Sequence, residues 1–273
     1  MRYTIYSFFA IFLLLAYSSP ILAQTGGPLV TQKSELPCLN KTFNVVVHVT
    51  ENEEGDIDVS LDSIADKMAK VNELFAPICV AFNICEVKTI ENYQYDSVKV
   101  YEWDELQVTY HQANKINIFW VAQFDFDKEL CGVTELGGIT NLEAGGILMM
   151  KGECVNEFAI AHELGRYFGL PYTFGEGEER TTELVKGGEC DTGGDLICDT
   201  PADPYILDDN PEDYVDPSNC RFINQDRDSE GEWYVSHTGN IMSYYADDCK
   251  CEFSQDQYRL MVATYLSRKP RMW

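Results

Sequence analysis

The chain has 273 residues, of which 45 are Asp or Glu and 20 are Lys or Arg, giving a formal net charge of −25 at pH 7. This excess of negative charge repels the phosphates of nucleic acids and anionic membrane surfaces, so partners of both kinds are excluded. The length fits one domain of enzyme size behind a short leader.

The N-terminus predicts export. Arg2 precedes an apolar run over residues 8–16, and small residues lead to Ala23, which is the pattern of a secretory signal peptide over residues 1–23. The apolar run is shorter than the ~18 residues that a membrane-spanning helix needs, and no later run reaches that length. We therefore expect a secreted protein without a membrane anchor.

Two boundaries follow from the composition. Residues 24–42 predict a flexible leader, and residues 43–273 predict a single domain. Within it we expect an N-terminal lobe to about residue 170 and a C-terminal lobe from about residue 171.

All ten cysteines lie after the predicted signal peptide. An even number in an exported chain favours disulfides over catalytic thiols or zinc knuckles. Cys79 and Cys85 lie close together in sequence, and a local bridge between them is one alternative.

The first half of the chain predicts alternating strands and helices. A β-branched run over residues 43–50 indicates a buried strand, with His48 as a hydrogen-bonded core histidine. Ser60 is expected to cap a helix that Pro77 ends. The remaining segments are a strand over 78–87, a short helix or loop within 91–110, and a strand over 115–123.

The second half is richer in loops. Residues 131–150 contain several glycines and end in an apolar run, and residues 155–168 predict a central helix that Gly169 terminates. Residues 173–219 form a long, loop-like stretch with many aspartates, and residues 254–266 predict a final helix. Loops this long in compact domains are usually functional or held by metals and disulfides.

The central helix carries an altered zinc motif. In a zinc-protease helix, His-Glu-x-x-His places two imidazoles on one face, and a later x-x-Gly-x-x-His supplies a third. In this chain, His162, Glu163 and Gly169 occupy their places, but Arg166 and Tyr172 stand at the second and third ligand positions.

Two further motifs support the same reading. Residues 240–244 (Asn-Ile-Met-Ser-Tyr) have the form of a Met-turn followed by a tyrosine, and residues 194–201 (Gly-Asp-Leu-Ile-Cys-Asp-Thr-Pro) lie between the two. Together the three motifs resemble the metzincin metalloproteases and, among them, the pappalysin family. The resemblance runs from about Val155 to the C-terminus, with a looser match back to Phe43.

The resemblance implies an α+β, metzincin-like fold. A twisted mixed sheet would lie over the active-site helix, and a Met-turn would close a loop-rich C-terminal lobe. The strand before the helix, at residues 147–150, would be the sheet edge that pairs with an extended substrate. The family also implies disulfides Cys190–Cys220 and Cys198–Cys249.

It also implies roles for single residues. His162 would be a zinc ligand, Glu163 the general base and Tyr244 the stabiliser of the oxyanion. Met242 would form a structural floor beneath the metal. The side chains of Asp191, Asp195, Asp199 and Thr200 offer hard oxygen ligands to calcium, or they face water as ordinary turn residues.

The two substitutions oppose zinc binding. The Arg166 guanidinium has no lone pair to donate, and two like unit charges ~4 Å apart repel by roughly 4 kcal/mol at an effective dielectric of about 20. The phenol of Tyr172 has an ordinary pKa of ~10, which makes it a poor ligand. Arg166 is expected either to fill the vacated zinc position and pair with Glu163, or to turn outward to the acidic surface.

Three functions remain open. The first is a secreted pseudoprotease, catalytically impaired, that binds a peptide or protein in its cleft. The second is a working zinc endopeptidase that recruits other ligands such as Tyr172, His237 or an aspartate. The third is a calcium-braced extracellular interaction domain with a vestigial cleft. The sequence leaves the substrate and the oligomeric state undetermined.

Overall fold

A computed structural model describes residues 35–126, 130–141 and 145–267. The described chain forms helices and strands in alternation, with most of its loops after the third helix. The helices are α1 (Leu61–Phe75), α2 (Val100–Tyr110), α3 (Glu157–Tyr167) and α4 (Gln255–Ser267). The strands are β1 (Lys41–Thr50), β2 (Val80–Ile90), β3 (Ser97–Val98), β4 (Ile116–Val121), β5 (Gln123–Phe124), β6 (Gly132–Thr134), β7 (Ile147–Met150), β8 (Val215–Asp216) and β9 (Arg221–Phe222).

The main sheet has five strands in the order β2-β1-β4-β7-β6. The first four run parallel to one another, and β6 is antiparallel to its neighbour β7. The predicted mixed sheet is thereby confirmed. Its central strand β4 is buried along its whole length, as expected of a parallel strand covered on both faces.

Helices cover the two faces of this sheet. On one face, α1, α3 and α4 pack against residues such as Val47 and Ile118. On the other, Leu106 of α2 packs against Phe119 and Val121. Ile118 and Phe119 are neighbours in β4 and point to opposite faces, so α1 and α2 lie on opposite sides of the sheet. Among the helices that the structure describes, none is long and apolar enough to cross a bilayer.

The first helix forms as predicted. The Ser60 hydroxyl accepts a hydrogen bond from the Ser63 amide at 3.2 Å, and Pro77 follows directly on the last turn. The side chains of Ile64, Met68, Val71 and Phe75 are buried in a row at helical spacing.

The predicted edge strand is wrong. Residues 147–150 form β7, which lies between β4 and β6, and the edge on that side is β6. The glycine-rich segment before β7 folds back as an additional strand rather than as a loop, and this covers β7.

The disulfide pairing implied by the family resemblance is also wrong. The structure joins Cys190 to Cys198 and Cys220 to Cys249, with Cα–Cα distances of 4.9 and 5.4 Å. The loop after Cys190 closes on itself, helped by Gly194 with φ +59°, and this brings Cys198 back to it.

The remaining cysteines exclude the local bridge. Cys38 pairs with Cys79, and Cys131 pairs with Cys154. Cys79 precedes β2 and Cys85 lies within it, so an extended backbone of ~3.3 Å per residue separates their Cα atoms by about 20 Å. In the part of the chain that the structure describes, Cys85 and Cys251 are free thiols.

The predicted signal peptide and residues 24–34 of the predicted leader lie outside the described residues. The end of that leader is tied to the domain. Leu36 and Leu39 pack against the main core, and Cys38 bonds to Cys79. Among the described residues, contacts with the core therefore extend several residues before the predicted boundary at Phe43.

His48 is a core residue, as predicted. It is fully buried, its Nε2 lies 3.0 Å from Asn117 Oδ1, and its ring stacks on Phe119 at 4.3 Å between centroids. Burial lowers its pKa to about 4. The folded protein therefore holds this imidazole neutral at pH values where the unfolded chain protonates it.

This gives a pH dependence of stability. The depressed pKa stabilises the fold above pH ~6.5, and the stabilisation is lost as the pH falls towards the folded value. The His48 contribution should amount to about 2–3 kcal/mol between pH 7 and 4.5. Urea unfolding of His48→Gln at both pH values should show a correspondingly smaller loss. The exposed His237→Gln is the control, and equal losses in the two variants would contradict the assignment.

Candidate functional site

The C-terminus of α3 sets the position of the altered motif. Gly169 has φ +93°, and its amide donates to the Arg166 carbonyl at 2.8 Å. The next amide, of Leu170, donates to the Gly165 carbonyl at 2.9 Å. This pair of bonds ends the helix at the predicted glycine and turns the chain sharply back over the site.

The Met-turn lies directly beneath α3. A Cβ added at Gly165 would lie 2.6 Å from Met242 Sδ, so only glycine fits there without a shift. The Ile241 carbonyl lies 2.8 Å from His162 Nδ1. Because a carbonyl only accepts hydrogen bonds, the proton of the neutral ring is on Nδ1 and the lone pair is on Nε2.

His162 is held neutral. Burial and the positive charge of Lys250 lower its pKa to about 3. Glu163, beside it, is also buried, and this burial raises its pKa to about 7. A Cβ at Gly132 of β6 would lie 2.5 Å from Glu163 Cγ, so the edge strand packs closely on this carboxyl. An acceptor nitrogen and a weakly acidic carboxyl therefore lie side by side.

Arg166 does neither of the two things expected of it. The residue is 6% exposed, so it does not turn to the surface, and its ion pair is with Glu176 rather than Glu163. Nη1 bonds Glu176 Oε1, and Nη2 bonds Oε2 at 3.0 Å. Burial alone would lower the pKa of Arg166, but the bond to Glu176 raises it above its ordinary value.

Local chain geometry explains this choice. The turn after α3 brings Glu176 back over the helix, where its Oε1 also accepts from the Tyr172 amide at 3.2 Å. One carboxylate thus satisfies the guanidinium in a two-bond fork, the geometry that arginine and carboxylate favour. Glu163 points towards Gly132 instead.

Tyr172 covers both neighbouring ligand positions. Its ring centroid is 3.9 Å from Arg166 Cζ and 5.6 Å from the His162 ring centroid, with the two rings nearly parallel. Burial raises the pKa of Tyr172, so the phenol keeps its proton. A stack of imidazole, phenol and guanidinium thus stands where a zinc protease has three imidazoles.

These residues do not fit a zinc ion. Only His162 offers a lone pair, and the two partner positions hold a cation and a protonated phenol. Among the residues that the structure describes, no group of three His, Cys, Asp or Glu is placed to hold a metal. His237 is not among the residues that line the cavity in front of His162, and its Nε2 lies 3.5 Å from Glu252 with the His237 side chain 40% exposed.

A cavity of about 490 Å³ opens in front of the stack. Its floor contains His162 and Glu163, and Tyr172 and Tyr244 contribute aromatic walls. The Tyr244 ring lies 4.9 Å from that of Tyr172, and burial raises the pKa of Tyr244 above its ordinary value. The structure therefore brings together His162, Glu163 and Tyr244, the three residues of α3 and the Met-turn that were predicted to bind zinc or take part in catalysis.

Sequence reasoning missed several lining residues. Lys250 lines the cavity with its side chain 7% exposed, and its ammonium lies 2.8 Å from Asp247. Glu176 pairs with Arg166 without lining the cavity, and nothing in the loop-like stretch over residues 173–219 singled it out. The Tyr205 ring lies 5.7 Å from that of Tyr244 and belongs to the same stretch, where no periodicity marks it.

The residues predicted for calcium are only partly gathered. Asp195 is buried, and Thr200 Oγ1 lies 2.9 and 2.8 Å from its two oxygens. Asp199 instead binds the start of α4, accepting from Ser254 Oγ at 2.6 Å and the Asp256 amide at 2.8 Å. Asp191 is exposed.

Glu183, which the sequence did not single out, lies beside Asp195. It is 2% exposed, and its Oε2 has no hydrogen-bond partner among the residues that the structure describes. Burial raises the pKa of both carboxyls to about 7. Two buried acids and a hydroxyl suit a hard cation in part, so the calcium site stays a prediction with Glu183 added to it.

The Arg166–Glu176 pair gives the first prediction for this site. Glu176→Gln leaves a buried guanidinium without its counter-charge and should destabilise the protein by about 1–3 kcal/mol, a range reduced because Glu176 is partly exposed. Glu178→Gln, which removes an exposed charge two residues away, is the matched control. Equal urea midpoints for the two variants would show that the pair carries no stability.

The second prediction for this site concerns the buried carboxyls of Glu183 and Asp195. Since both folded pKa values lie above the unfolded ones, stability without a cation should fall as the pH rises from 4.5 to 7. Calcium should reverse this fall and raise the melting temperature in wild type by a few degrees, because it replaces the protons. Glu183→Gln should lose most of the calcium response. An unchanged calcium response in that variant would show that Glu183 does not bind calcium.

No family model matches the sequence, and no curated protein matches it. Two solved structures of mirolysin, a metzincin-type metallopeptidase, share its fold. Mature mirolysin of Tannerella forsythia with a cleaved peptide is 16% identical, covers 86% of this chain and 94% of its own, and has a TM-score of 0.59. Mirolysin with compound 9 is 15% identical, covers 85% and 93%, and has a TM-score of 0.60. The predicted α+β, metzincin-like fold with its twisted mixed sheet is confirmed.

Proposed function

We propose that this chain is a secreted, pappalysin-like pseudoprotease that binds peptide or protein segments in its cleft and has little or no peptidase activity. The observation that carries the proposal is the buried Arg166 guanidinium, paired with Glu176 and stacked on Tyr172. It puts a permanent cation and a protonated ring at two of the three ligand positions.

The chemistry of hydrolysis is impaired for this reason. A catalytic zinc needs three protein ligands and an open position for the water that it activates. With His162 alone, the water keeps an ordinary pKa, and Glu163 has no activated nucleophile to deprotonate. Glu163 and Tyr244 then act as binding groups rather than as a base and an oxyanion stabiliser.

The means of holding a peptide remain. Strand β6 is the sheet edge beside the cavity, and Gly132 lies directly against Glu163. An extended peptide that adds to this edge gains main-chain hydrogen bonds, and the tyrosine-walled cavity receives a side chain. His162 Nε2 accepts a hydrogen bond from such a ligand, since no residue in the described part of the chain donates to its lone pair.

Export is supported by the disulfides. Four disulfides form among the described residues, and such bonds persist in oxidising compartments. Two of them, Cys190–Cys198 and Cys220–Cys249, also cross-link the long loops after α3, where the third of the predicted functions, a calcium-braced interaction domain, would reside.

The zinc endopeptidase is the second candidate. One observation favours it: His162, with the lone pair on its Nε2, and the adjacent Glu163 both lie on the cavity floor. The two candidates differ in whether any peptide bond is cleaved.

The test measures peptide binding by wild type and zinc binding by a variant in which the two missing histidines are restored. Wild type should bind fluorescently labelled unfolded casein peptides with a chelator present and leave them intact, because binding uses the strand edge and the cavity. Arg166→His with Tyr172→His should gain zinc binding in a calorimetric titration, since it restores three imidazoles on the existing frame.

Arg166→Gln with Tyr172→Phe is the matched control, which removes the same groups without adding ligands. Cleavage of the peptides by wild type that stops in chelator would establish the endopeptidase instead. Absence of any peptide binding by wild type would refute the proposed function.

A further inference from the structure

The chain path through the sheet creates a crevice that is separate from the cavity in front of α3. From β1 the chain crosses one face through α1 to reach β2, and it then crosses the opposite face through α2 to reach β4 on the other side of β1. The strand order therefore reverses between β1 and β4. In open sheets of parallel strands, ligands bind at the carboxyl ends of the strands where the order reverses.

A cavity of about 540 Å³ lies at this place. Its walls come from segments that follow the carboxyl ends of three strands: residues 52–54 after β1, residues 93–97 after β2, and residues 122–125 after β4. It shares no lining residue with the cavity in front of α3. We refer to it as the switch-point crevice.

Asp96 forms part of its lining and is only 9% exposed. Its Oδ1 accepts from Lys151 Nζ at 2.6 Å, from the Ala122 amide at 3.0 Å, and from the Thr50 hydroxyl. Its Oδ2 accepts no hydrogen bond from the residues that the structure describes. One oxygen of a buried carboxylate is thus fixed by the ends of three strands, and the other is left for a ligand.

The charge of the crevice favours a cation. Two ion pairs contribute no net charge, because the positive and negative groups cancel within each pair: Lys151–Asp96 at 2.6 Å and Lys99–Glu102 at 3.2 Å. Glu53, Glu54 and Asp125 also line the crevice and have no ion-pair partner among the described residues. The site therefore keeps a net charge of about −3, which repels anions and attracts cations.

An aromatic ring completes the lining. Tyr93 is 51% exposed at the rim, and a tyrosine face attracts ammonium and guanidinium groups. No group of three His, Cys, Asp or Glu in the described chain is arranged for a metal ion. Carboxylates spread over a volume of this size, with a ring among them, suit an extended organic cation instead.

We propose that the switch-point crevice is a second binding site, for a ligand that carries a primary ammonium or guanidinium group. The cationic end contacts Asp96 Oδ2 on the floor, the rim carboxylates neutralise further charge, and Tyr93 packs on the aliphatic part. A free diamine and a lysine or arginine side chain of a peptide present the same group.

The experiment titrates the purified full chain at about 0.15 M salt, where long-range attraction is screened. The probes are 1,5-diaminopentane, its neutral counterpart 1,5-pentanediol, and the capped tripeptides acetyl-Gly-Lys-Gly-amide and acetyl-Gly-norleucyl-Gly-amide. Saturable binding of the diamine or the lysine peptide, without binding of the neutral partner, is expected. The arm that binds more tightly shows which source the crevice prefers.

Variants locate the binding. Tyr93→Ala should weaken it about 2–5-fold, as expected for an exposed cation–π contact. Glu53→Gln with Glu54→Gln should weaken it further, whereas Glu212→Gln with Asp213→Asn, which removes two exposed charges elsewhere, should leave it unchanged. Asp96→Asn should weaken it about 10-fold if the variant folds, and the other variants decide the question if it does not.

Two results would overturn the proposal. Equal weakening by both charge-neutralising pairs would show general attraction to an acidic protein rather than a site. Equal binding of the diol and the diamine would show that the ammonium group is not recognised.

Discussion

The ion pair between the buried Arg166 and the partly exposed Glu176 is the interaction on which the rest of this site depends. It fixes the guanidinium on α3, draws the following loop over the helix, and places the Tyr172 ring against both Arg166 and His162. In a zinc enzyme, a metal ion joins the helix to the chain that follows it. Here a charge pair and a ring stack make the same connection.

The other contacts that position α3 and the chain around it do not involve this ion pair. Met242 packs under Gly165, the Ile241 carbonyl fixes the His162 tautomer, and the Schellman bonds at Gly169 turn the chain as a metal-bound site would require. None of these contacts uses a metal, so they persist when the ligands change. A cleft with an edge strand and a tyrosine wall is thus present without any contribution from a metal, and this is the physical basis for the proposed binding function.

Much of the fold could be predicted from the sequence, because strong local signals agree with it. The β-branched run over residues 43–50, the Ser60 cap and the terminating Gly169 each specify an element through local sequence alone. The disulfide partners and the edge strand could not be predicted, because they depend on how distant loops close. Glu176 and Glu183 were missed for a related reason: nothing in the local sequence indicates that an acidic residue will pair with a buried cation or be buried beside another acid.

The zinc content of wild-type protein after export tests the central claim most directly. It should be measured by mass spectrometry on chain purified without chelator and exposed to free zinc before desalting. If Arg166 and Tyr172 close the ligand positions, the protein should retain far less than one zinc ion per chain, and Glu163→Gln should not change the value. One tightly held zinc ion per chain, lost on His162→Ala, would contradict the account.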